Sequence, residues 1–452
     1  MKPLRYRITH QFAEIQISEK NLAKLLEVVS WQQVPLFPDR GRTAWHIFED
    51  NQLSAKPQFR AAKLKGVGVW NPQKVRLYTA MRADSFLDQP QPPQSQEYKA
   101  IATYRHVGFT KEGEYTEVYS QATPFGGITH SRAFQEYHNA QKLWEKNVPA
   151  IAPFMVIQYP DYEFQGEVLG AVISLFPEIY PYRLDMLLHP NRCLEPEERN
   201  FCAMVRESLR LSGSFNDETE RLKSITILGR KVGKLIHDFS KTGLYRHSGG
   251  WGNIQYCVEQ EQPFLTDLDS TRNLDELPKL VQPLQILRDL ASSLHWFLDR
   301  FYRPMLLDEY TLTNLLKYDP LSEIIGGYFV DASQADIQQI AKKLWSYFIP
   351  FLFLCKRNRQ ELANISNPSS GNWNTNQLMD NKLFYSLAIT SLYPLYLKSD
   401  LAVLYPATFT IEEVKQKAEA FLGDNYEYFL YLLDDGNLGS SIYKQEKDRV
   451  AA

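Results

Sequence analysis

The chain contains 452 residues, and 44% of them are hydrophobic, so it is long enough for two or three ordinary domains or for one large elaborated domain. Its formal net charge of −3 gives no sign of a nucleic-acid-binding surface or of an anionic membrane as partner. The four cysteines form no CxxC pair, which argues against a disulfide framework or a structural zinc site and favours a reducing compartment.

The opening residues, MKPLRYRITHQF, lack the apolar core of a secretory signal. The most apolar run, residues 344–355, has about half of the roughly 20 residues that a membrane-spanning helix needs, and Pro350 interrupts it. We therefore expect a buried helix at this run and a soluble, cytoplasmic protein without a membrane or nucleic-acid partner.

Alternating apolar residues and turn signals predict a strand-rich first half. The apolar stripe on residues 132–145 predicts a helix within it, and the proline- and glutamine-rich residues 89–96 predict a surface loop. Strands are expected at 59–70, running into a glycine turn, on both sides of a turn at 111–113, at 154–159 and at 167–176.

The second half reads mainly as helices. A glycine-rich loop at 248–252 and two short strands, 254–257 and 263–266, interrupt it. Helices are expected at 195–211, at 218–241, at 284–301 and over most of the remaining chain. This order, strands first and helices later, predicts an α+β fold with segregated layers.

The segment 243–269, GLYRHSGGWGNIQYCVEQEQPFLTDLD, carries the clearest chemical signal. A helix ends at Gly243, a loop with Asn253 follows, and a tight hairpin then leads to Asp267. Nucleotide-bound magnesium prefers hard oxygen ligands, commonly one or two side chains together with phosphates and water. The hairpin can bring Asn253 and Asp267 together although 14 residues separate them.

This segment resembles the catalytic loop and metal-binding aspartate of the protein-kinase-like superfamily. Asn253 matches the Asn of HRDxxxxN, and Asp267 matches the Asp of DFG. By this resemblance, the helix at 132–145 carries the glutamate that pairs with the ATP lysine, Glu136. The strand at 167–176 would enter the hinge, with Leu175 and the residues to 178 beside the adenine.

Two positions depart from the kinase pattern. Ser248 stands five residues before Asn253, where a kinase has its catalytic Asp, and a serine cannot act as the carboxylate that accepts a hydroxyl proton. Asp-Leu-Asp replaces DFG, so Asp269 adds a second carboxylate. Asp269 is expected to be a second metal ligand, a general base or the cap of a following helix.

A more particular resemblance rests on four segments, and it is to the selenoprotein O family of kinase-like protein adenylyltransferases. The segments are AKLKGVG at 62–68, TPFGG at 123–127, QEY at 135–137 and NVPAIAPFMVI at 147–157. The resemblance implies that Lys65 is the ATP lysine and Glu136 its partner. That family also lacks the catalytic Asp, binds ATP reversed and transfers AMP to a hydroxyl side chain. About 70 residues separate Lys65 from Glu136, so an insertion that holds the proline- and glutamine-rich loop is required.

Three further side chains are candidates for binding the nucleotide phosphates. Arg132 and Arg246 offer guanidinium groups, which suit phosphate, or else form surface salt bridges. His247 is expected either to contact phosphate or to orient the loop by a hydrogen bond.

The predicted fold is therefore α+β: a two-lobed, protein-kinase-like fold with a strand-rich N-lobe and a helical C-lobe, extended at both ends. Residues 1–175 would form the N-terminal extension and N-lobe, and residues 176–452 the C-lobe with its catalytic-loop-like segment 243–270. The predicted cofactors are ATP and Mg²⁺, and the predicted activity is transfer of AMP to a protein hydroxyl.

Two alternatives stay open at this point. One is a phosphotransferase that acts on a protein or small molecule and replaces the lost base with Asp269 or another group. The other is a pseudokinase that works as a scaffold, which the absence of the catalytic Asp favours directly. Kinase-like folds host all three, so the fold alone does not choose among them.

Overall fold

The computed structural model describes part of the chain, and everything below concerns that part. It comprises residues 3–38, 41–49, 59–71, 87–95, 105–119, 124–188, 195–247, 249–299, 301, 310–357 and 381–434. Ser248 and Thr123, which belong to motifs identified in the sequence, lie outside these residues.

An antiparallel seven-stranded sheet dominates the first half. Five strands follow one another in the order β1-β8-β9-β3-β2, while β4 pairs with β3 and β7 pairs with β9. The strands are β1 (Arg7–Gln11), β2 (Gly41–Ile47), β3 (Ala61–Asn71), β4 (Leu87–Gln91), β5 (Arg105–Phe109), β6 (Tyr115–Tyr119), β7 (Ile128–Thr129), β8 (Ala152–Phe164), β9 (Glu167–Phe176), β10 (Leu244–Arg246), β11 (Ile254–Cys257), β12 (Gln262–Leu265) and β13 (Thr271–Asn273).

Helices dominate the second half, as expected. The two earliest lie in the strand-rich half, and the rest follow β9. They are α1 (Glu19–Val29), α2 (His130–Glu145), α3 (Pro196–Ser208), α4 (Glu218–Ser240), α5 (Gln282–Asp299), α6 (Leu312–Tyr318), α7 (Pro320–Tyr328), α8 (Gln334–Arg357), α9 (Asn381–Leu397), α10 (Leu401–Leu404), α11 (Ile411–Leu422) and α12 (Tyr426–Asp434). None of the described helices has the length and apolar character needed to span a membrane.

Two hydrophobic cores confirm the two-lobed α+β prediction. One core joins the main sheet to α1 and α2 and includes Leu64 and Ile173. The other is built on the helices after β9 and includes Leu228 and Leu290. The faces of β3 explain how the lobes meet. Ala61 belongs to the helical core and its neighbour Ala62 to the sheet core, because successive strand residues point to opposite faces.

The β5–β6 hairpin precedes β9 in the chain but packs on the helical half. Val107 and Phe109 are buried in the helical core. The Phe109 amide donates to Gln285 Oε1 of α5 at 3.3 Å, and the buried Arg288 guanidinium donates to the Val107 carbonyl. The division of the chain into lobes at 175/176 stays a prediction. The β5–β6 hairpin belongs to the first part by sequence but packs on the helical half.

Two local predictions need correction. Gly66 and Gly68 form no turn but lie inside β3, which runs on to Asn71. The proline- and glutamine-rich segment is not entirely a loop, because β4 covers its residues 89–91. At residues 89–91 pairing with β3 overrides the turn composition, and at Gly66 crowding does so. At Gly66, φ is +92° and a Cβ atom would stand 2.7 Å from the Gly170 carbonyl oxygen.

We predict that Gly66→Ala destabilises the fold by about 2–4 kcal/mol, because it adds both a clash and a left-handed backbone strain. Gly166→Ala is the matched control, since its φ is +82° but nothing lies within 4 Å of its Cβ position. It should cost only about 1 kcal/mol. Chemical denaturation measures both values, and equal losses would contradict the account of β3 crowding.

Candidate functional site

A lysine–glutamate pair joins the sheet to α2. Lys65 Nζ on β3 donates to Glu136 Oε2 at 2.8 Å, and both side chains are buried. The two residues are 71 positions apart in sequence, so the long insertion expected between them does not separate them in space. The structure therefore brings together the pair that the sequence resemblance implied.

The β11–β12 hairpin delivers two further carboxylates to the same lysine. Lys65 Nζ hydrogen-bonds to Asp267 and lies 3.0 Å from Asp269 Oδ1. Asp267 adopts a left-handed conformation, with φ 61° and ψ 59°, at the end of the hairpin. Glu136, Asp267 and Asp269 each offer one oxygen, and these three oxygens all lie within 4.8 Å of one another.

The charged groups of this cluster shift the pKa values of one another. Burial acts to lower the pKa of Lys65, but the carboxylates of Asp267, Asp269 and Glu136 raise it above its ordinary value. Burial acts to raise the pKa of Asp267, but Lys65, Lys63 and Arg183 hold it well below its usual range. Both groups are therefore charged near neutral pH.

Asp269 is held by three cationic side chains. Arg132 of α2 lies 2.6 Å from its Oδ2, Arg42 of β2 lies 3.5 Å from the same oxygen, and Lys65 completes the set. Burial acts to raise the pKa of Asp269, yet Lys65 and Arg132 hold it below its usual range. A carboxylate with a lowered pKa is a weak proton acceptor, so this setting disfavours the general-base role considered for Asp269.

Hydrogen bonds along α2 fix Glu136 over the cluster. Asn139 Nδ2 donates to the carbonyls of Leu268 and Thr271 at 3.0 Å each, and Gln135 Nε2 donates to the Thr271 carbonyl at 3.0 Å. Lys142 hydrogen-bonds to Asn273. Because these bonds run to the chain just after Asp267, α2 and the hairpin end form one rigid unit.

Asn253 lies beside Asp267 through the register of the hairpin. Ile254 pairs with Leu265, and the Thr266 amide donates to the Asn253 carbonyl at 3.1 Å. Asn253 and Asp267 thus leave the same end of the hairpin, as the sequence argument required. Arg183, in the segment after β9, donates to the Gly252 carbonyl at 2.8 Å and closes this end of the loop.

Two glycines of the loop pack closely against α5. A Cβ atom on Gly249 would lie 3.1 Å from the Asp289 carbonyl oxygen, and one on Gly250 would lie 3.1 Å from Trp296 Cβ. Close packing of the loop on α5 therefore requires small residues here.

His247 and Arg246 belong to that same loop support. Arg288 Nη2 donates to the His247 carbonyl at 2.9 Å, and Asp289 Oδ2 accepts from the Arg246 amide at 2.7 Å. The His247 ring lies edge-on to Tyr245, with ring centroids 5.4 Å apart. Burial lowers the pKa of Arg246 to about 10, although Asp289 acts against it. The main-chain carbonyl of His247 and the amide of Arg246 thus help to hold the loop against α5.

Leu175 does not join the cluster. It pairs with Ala62 on β3, whereas Lys63 pairs with Ser174. Residues directly opposite each other on paired strands share a face, so the Leu175 side chain points away from the lysines and into the sheet core. This geometry argues against the predicted adenine contact by the Leu175 side chain.

Three site residues escaped the sequence argument: Lys63, Arg42 and Arg183. Lys63 Nζ donates to Thr266 Oγ1 at 2.9 Å and lies 3.9 Å from Glu136 Oε1. The sequence does mark Lys63, because a strand residue two positions before Lys65 points to the same face of the sheet. Nothing in the local sequence marked Arg42 or Arg183, which only the fold brings here.

No protein-family model and no curated protein matches the chain. Among solved structures the chain is similar to one titled "WaaP in complex with acyl carrier protein". The identity is 13%, the match covers 60% of this chain and 89% of that chain, and the TM-score is 0.28. So distant a likeness carries no argument about fold, reaction or substrate.

We predict that Asp269→Asn lowers the free energy of unfolding by about 3 kcal/mol near neutral pH, because it leaves buried cations without their carboxylate. The pKa of Asp269 is lowered on folding, so its contribution is present above the unfolded value of 3.8 and disappears as the pH falls through the folded value. Urea denaturation between about pH 7 and pH 3 should therefore show the gap between wild type and variant narrowing in acid.

Asp161→Asn, which breaks an exposed ion pair with Arg5, is the control and should cost under about 1 kcal/mol. A gap for Asp269→Asn that is small, or that stays constant with pH, would contradict the ion-pair account.

Proposed function

We propose that the protein is an ATP- and Mg²⁺-dependent transferase of kinase-like fold that transfers AMP to a protein hydroxyl. One observation carries the proposal: the ammonium of Lys65 contacts carboxylates from α2 and from the end of the β11–β12 hairpin. A strand lysine, a helix glutamate and an aspartate after a short hairpin are the parts with which kinase-like sites hold nucleotide phosphates and metal.

The donor set fits magnesium. All the candidate ligands offer oxygen atoms, and Asp267 and Asn253 leave the same hairpin end. The Asp267 side chain is 33% exposed, whereas the Asp269 side chain is only 6% exposed, so Asp267 is the carboxylate open to a ligand. Mg²⁺ held by Asp267 and Asn253 would neutralise phosphate charge.

The charge balance favours an anionic ligand. Three buried or half-buried carboxylates are outnumbered by the cationic side chains around them, which are Lys63, Lys65, Arg42 and Arg132. Buried charges are costly unless they are paired, and cationic side chains, above all guanidinium groups, suit phosphate recognition. A nucleotide would supply the missing negative charge.

The lack of a general base bears on the reaction. Position 248 is serine, and the cations around Asp269 make it a poor proton acceptor. Catalysis would then rest on positioning and electrostatic stabilisation, and AMP transfer tolerates this within the family that the sequence resembles. A phosphotransferase is the second reading, and a nucleotide-binding or inactive pseudokinase scaffold is the third, which Ser248 favours directly.

The test is incubation of the protein with a panel of acceptor proteins, Mg²⁺ and ATP labelled on either the α or the γ phosphate. We expect α-label transfer by the wild type and a loss of at least about 100-fold in Asp267→Ala, because the metal loses its carboxylate. Asp161→Ala, which changes an exposed aspartate far along the sheet, should retain wild-type transfer.

Transfer of the γ label would support the phosphotransferase instead. Binding of ATP without transfer of either label would support the scaffold, and the absence of both binding and transfer would overturn all nucleotide-dependent readings.

A further inference from the structure

Lys63 is a second buried lysine beside the predicted ATP lysine. It lies two residues before Lys65 on β3, so both side chains point to the face of the sheet that meets the helical half. Each side chain is only 3% exposed. A strand interior that buries two lysines side by side is unusual, because lysine is almost never fully buried without a partner.

The two lysines differ in their partners. Lys65 contacts three carboxylates, but the direct hydrogen-bond partner of Lys63 is the neutral hydroxyl of Thr266 at 2.9 Å. Within the described part of the chain, the carboxylate oxygen that pairs with Lys63 Nζ is Glu136 Oε1, at 3.9 Å, and Glu136 already pairs with Lys65. That oxygen is buried and has no hydrogen-bond partner among the described residues.

This incomplete pairing leaves the pKa of Lys63 below its ordinary value. Burial lowers the pKa of Lys63 to about 8, and Glu136 and Asp267 offset only part of that effect. An ammonium held in this way gains more than Lys65 does from an incoming anion, since a charged hydrogen bond is worth most where burial has left charge uncompensated.

The position of Lys63 indicates which part of a ligand it meets. It pairs with Ser174, whereas Lys65 pairs with Val172, so Lys63 lies nearer the end of β9 and the connection to the helical half. Thr266, its hydrogen-bond partner, immediately precedes Asp267. Lys63 thus adds a second ammonium group on the same face of the sheet, with its position about 6.6 Å along β3 from that of Lys65.

We propose that Lys63 is a second phosphate-binding residue and that it makes the site selective for a polyphosphate chain over a monophosphate. This inference rests on the proposed nucleotide function. A monophosphate can occupy the surroundings of Lys65 alone, whereas a di- or triphosphate reaches both ammonium groups. Lys63 acts as a binding and specificity residue and takes no part in bond making.

Calorimetric titration with a series of phosphate-bearing probes tests the idea. The probes are AMP, ADP, ATP and inorganic tripolyphosphate, each with Mg²⁺, and the proteins are the wild type, Lys63→Met, Lys63→Gln and Lys63→Arg. Methionine keeps the length of the lysine side chain and removes its charge. Thermal unfolding of each variant is measured as well, to check that the variant is folded.

We expect Lys63→Met and Lys63→Gln to weaken ATP and tripolyphosphate binding by about tenfold or more, and AMP binding by less than about twofold. Lys63→Arg should stay within about threefold of the wild type for ATP, since it keeps the charge. Lys20→Met, at an exposed surface pair with Glu49, is the control and should change nothing.

Two failures can be told apart. If the wild type binds ATP and the neutral variants bind it equally well, the role of Lys63 is overturned and the proposed function stands. If the wild type binds tripolyphosphate through Lys63 but does not bind ATP, the nucleotide proposal fails alone. If the wild type binds none of the probes, both are overturned.

Discussion

The ammonium group of Lys65 is the interaction on which the arrangement of this protein depends. It contacts Glu136, Asp267 and Asp269, and so joins a central strand of the sheet to α2 and to the hairpin of the helical half. Burying an ammonium is costly, and nearby carboxylates offset that cost. That pairing fixes the orientation of α2 and the path of the chain after β12, and it therefore sets how the lobes meet at the site.

The surrounding contacts keep this point rigid. Hydrogen bonds from Asn139 and Gln135 tie α2 to the chain after Asp267, and Arg132 of α2 and Arg42 of β2 hold Asp269. On the opposite side, Arg288 and Asp289 of α5 support the loop that leads to Asn253. These buried charged and polar groups thus help to position Lys65 and Asp267, which are the ones a nucleotide and its metal would meet.

Sequence reasoning found the framework of this site because its local signals were strong. The alternating pattern indicated β3, β8 and β9, the apolar stripe indicated α2, and Asn253 and Asp267 flank a hairpin that was predicted as two short strands. It failed where the outcome depends on tertiary contacts. Gly66 looked like a turn residue because the approach of the Gly170 carbonyl was invisible, and Arg42 comes from a strand with no motif at all.

The central claim is that the Lys65 cluster holds nucleotide phosphates, and a crystal structure with ATP and Mg²⁺ tests it most directly. The account predicts a phosphate oxygen within about 3 Å of Lys65 Nζ and a metal ion bound to Asp267. A nucleotide bound elsewhere, with Lys65 still enclosed by its three carboxylates, would contradict the account and leave the cluster as a purely structural ion-pair network.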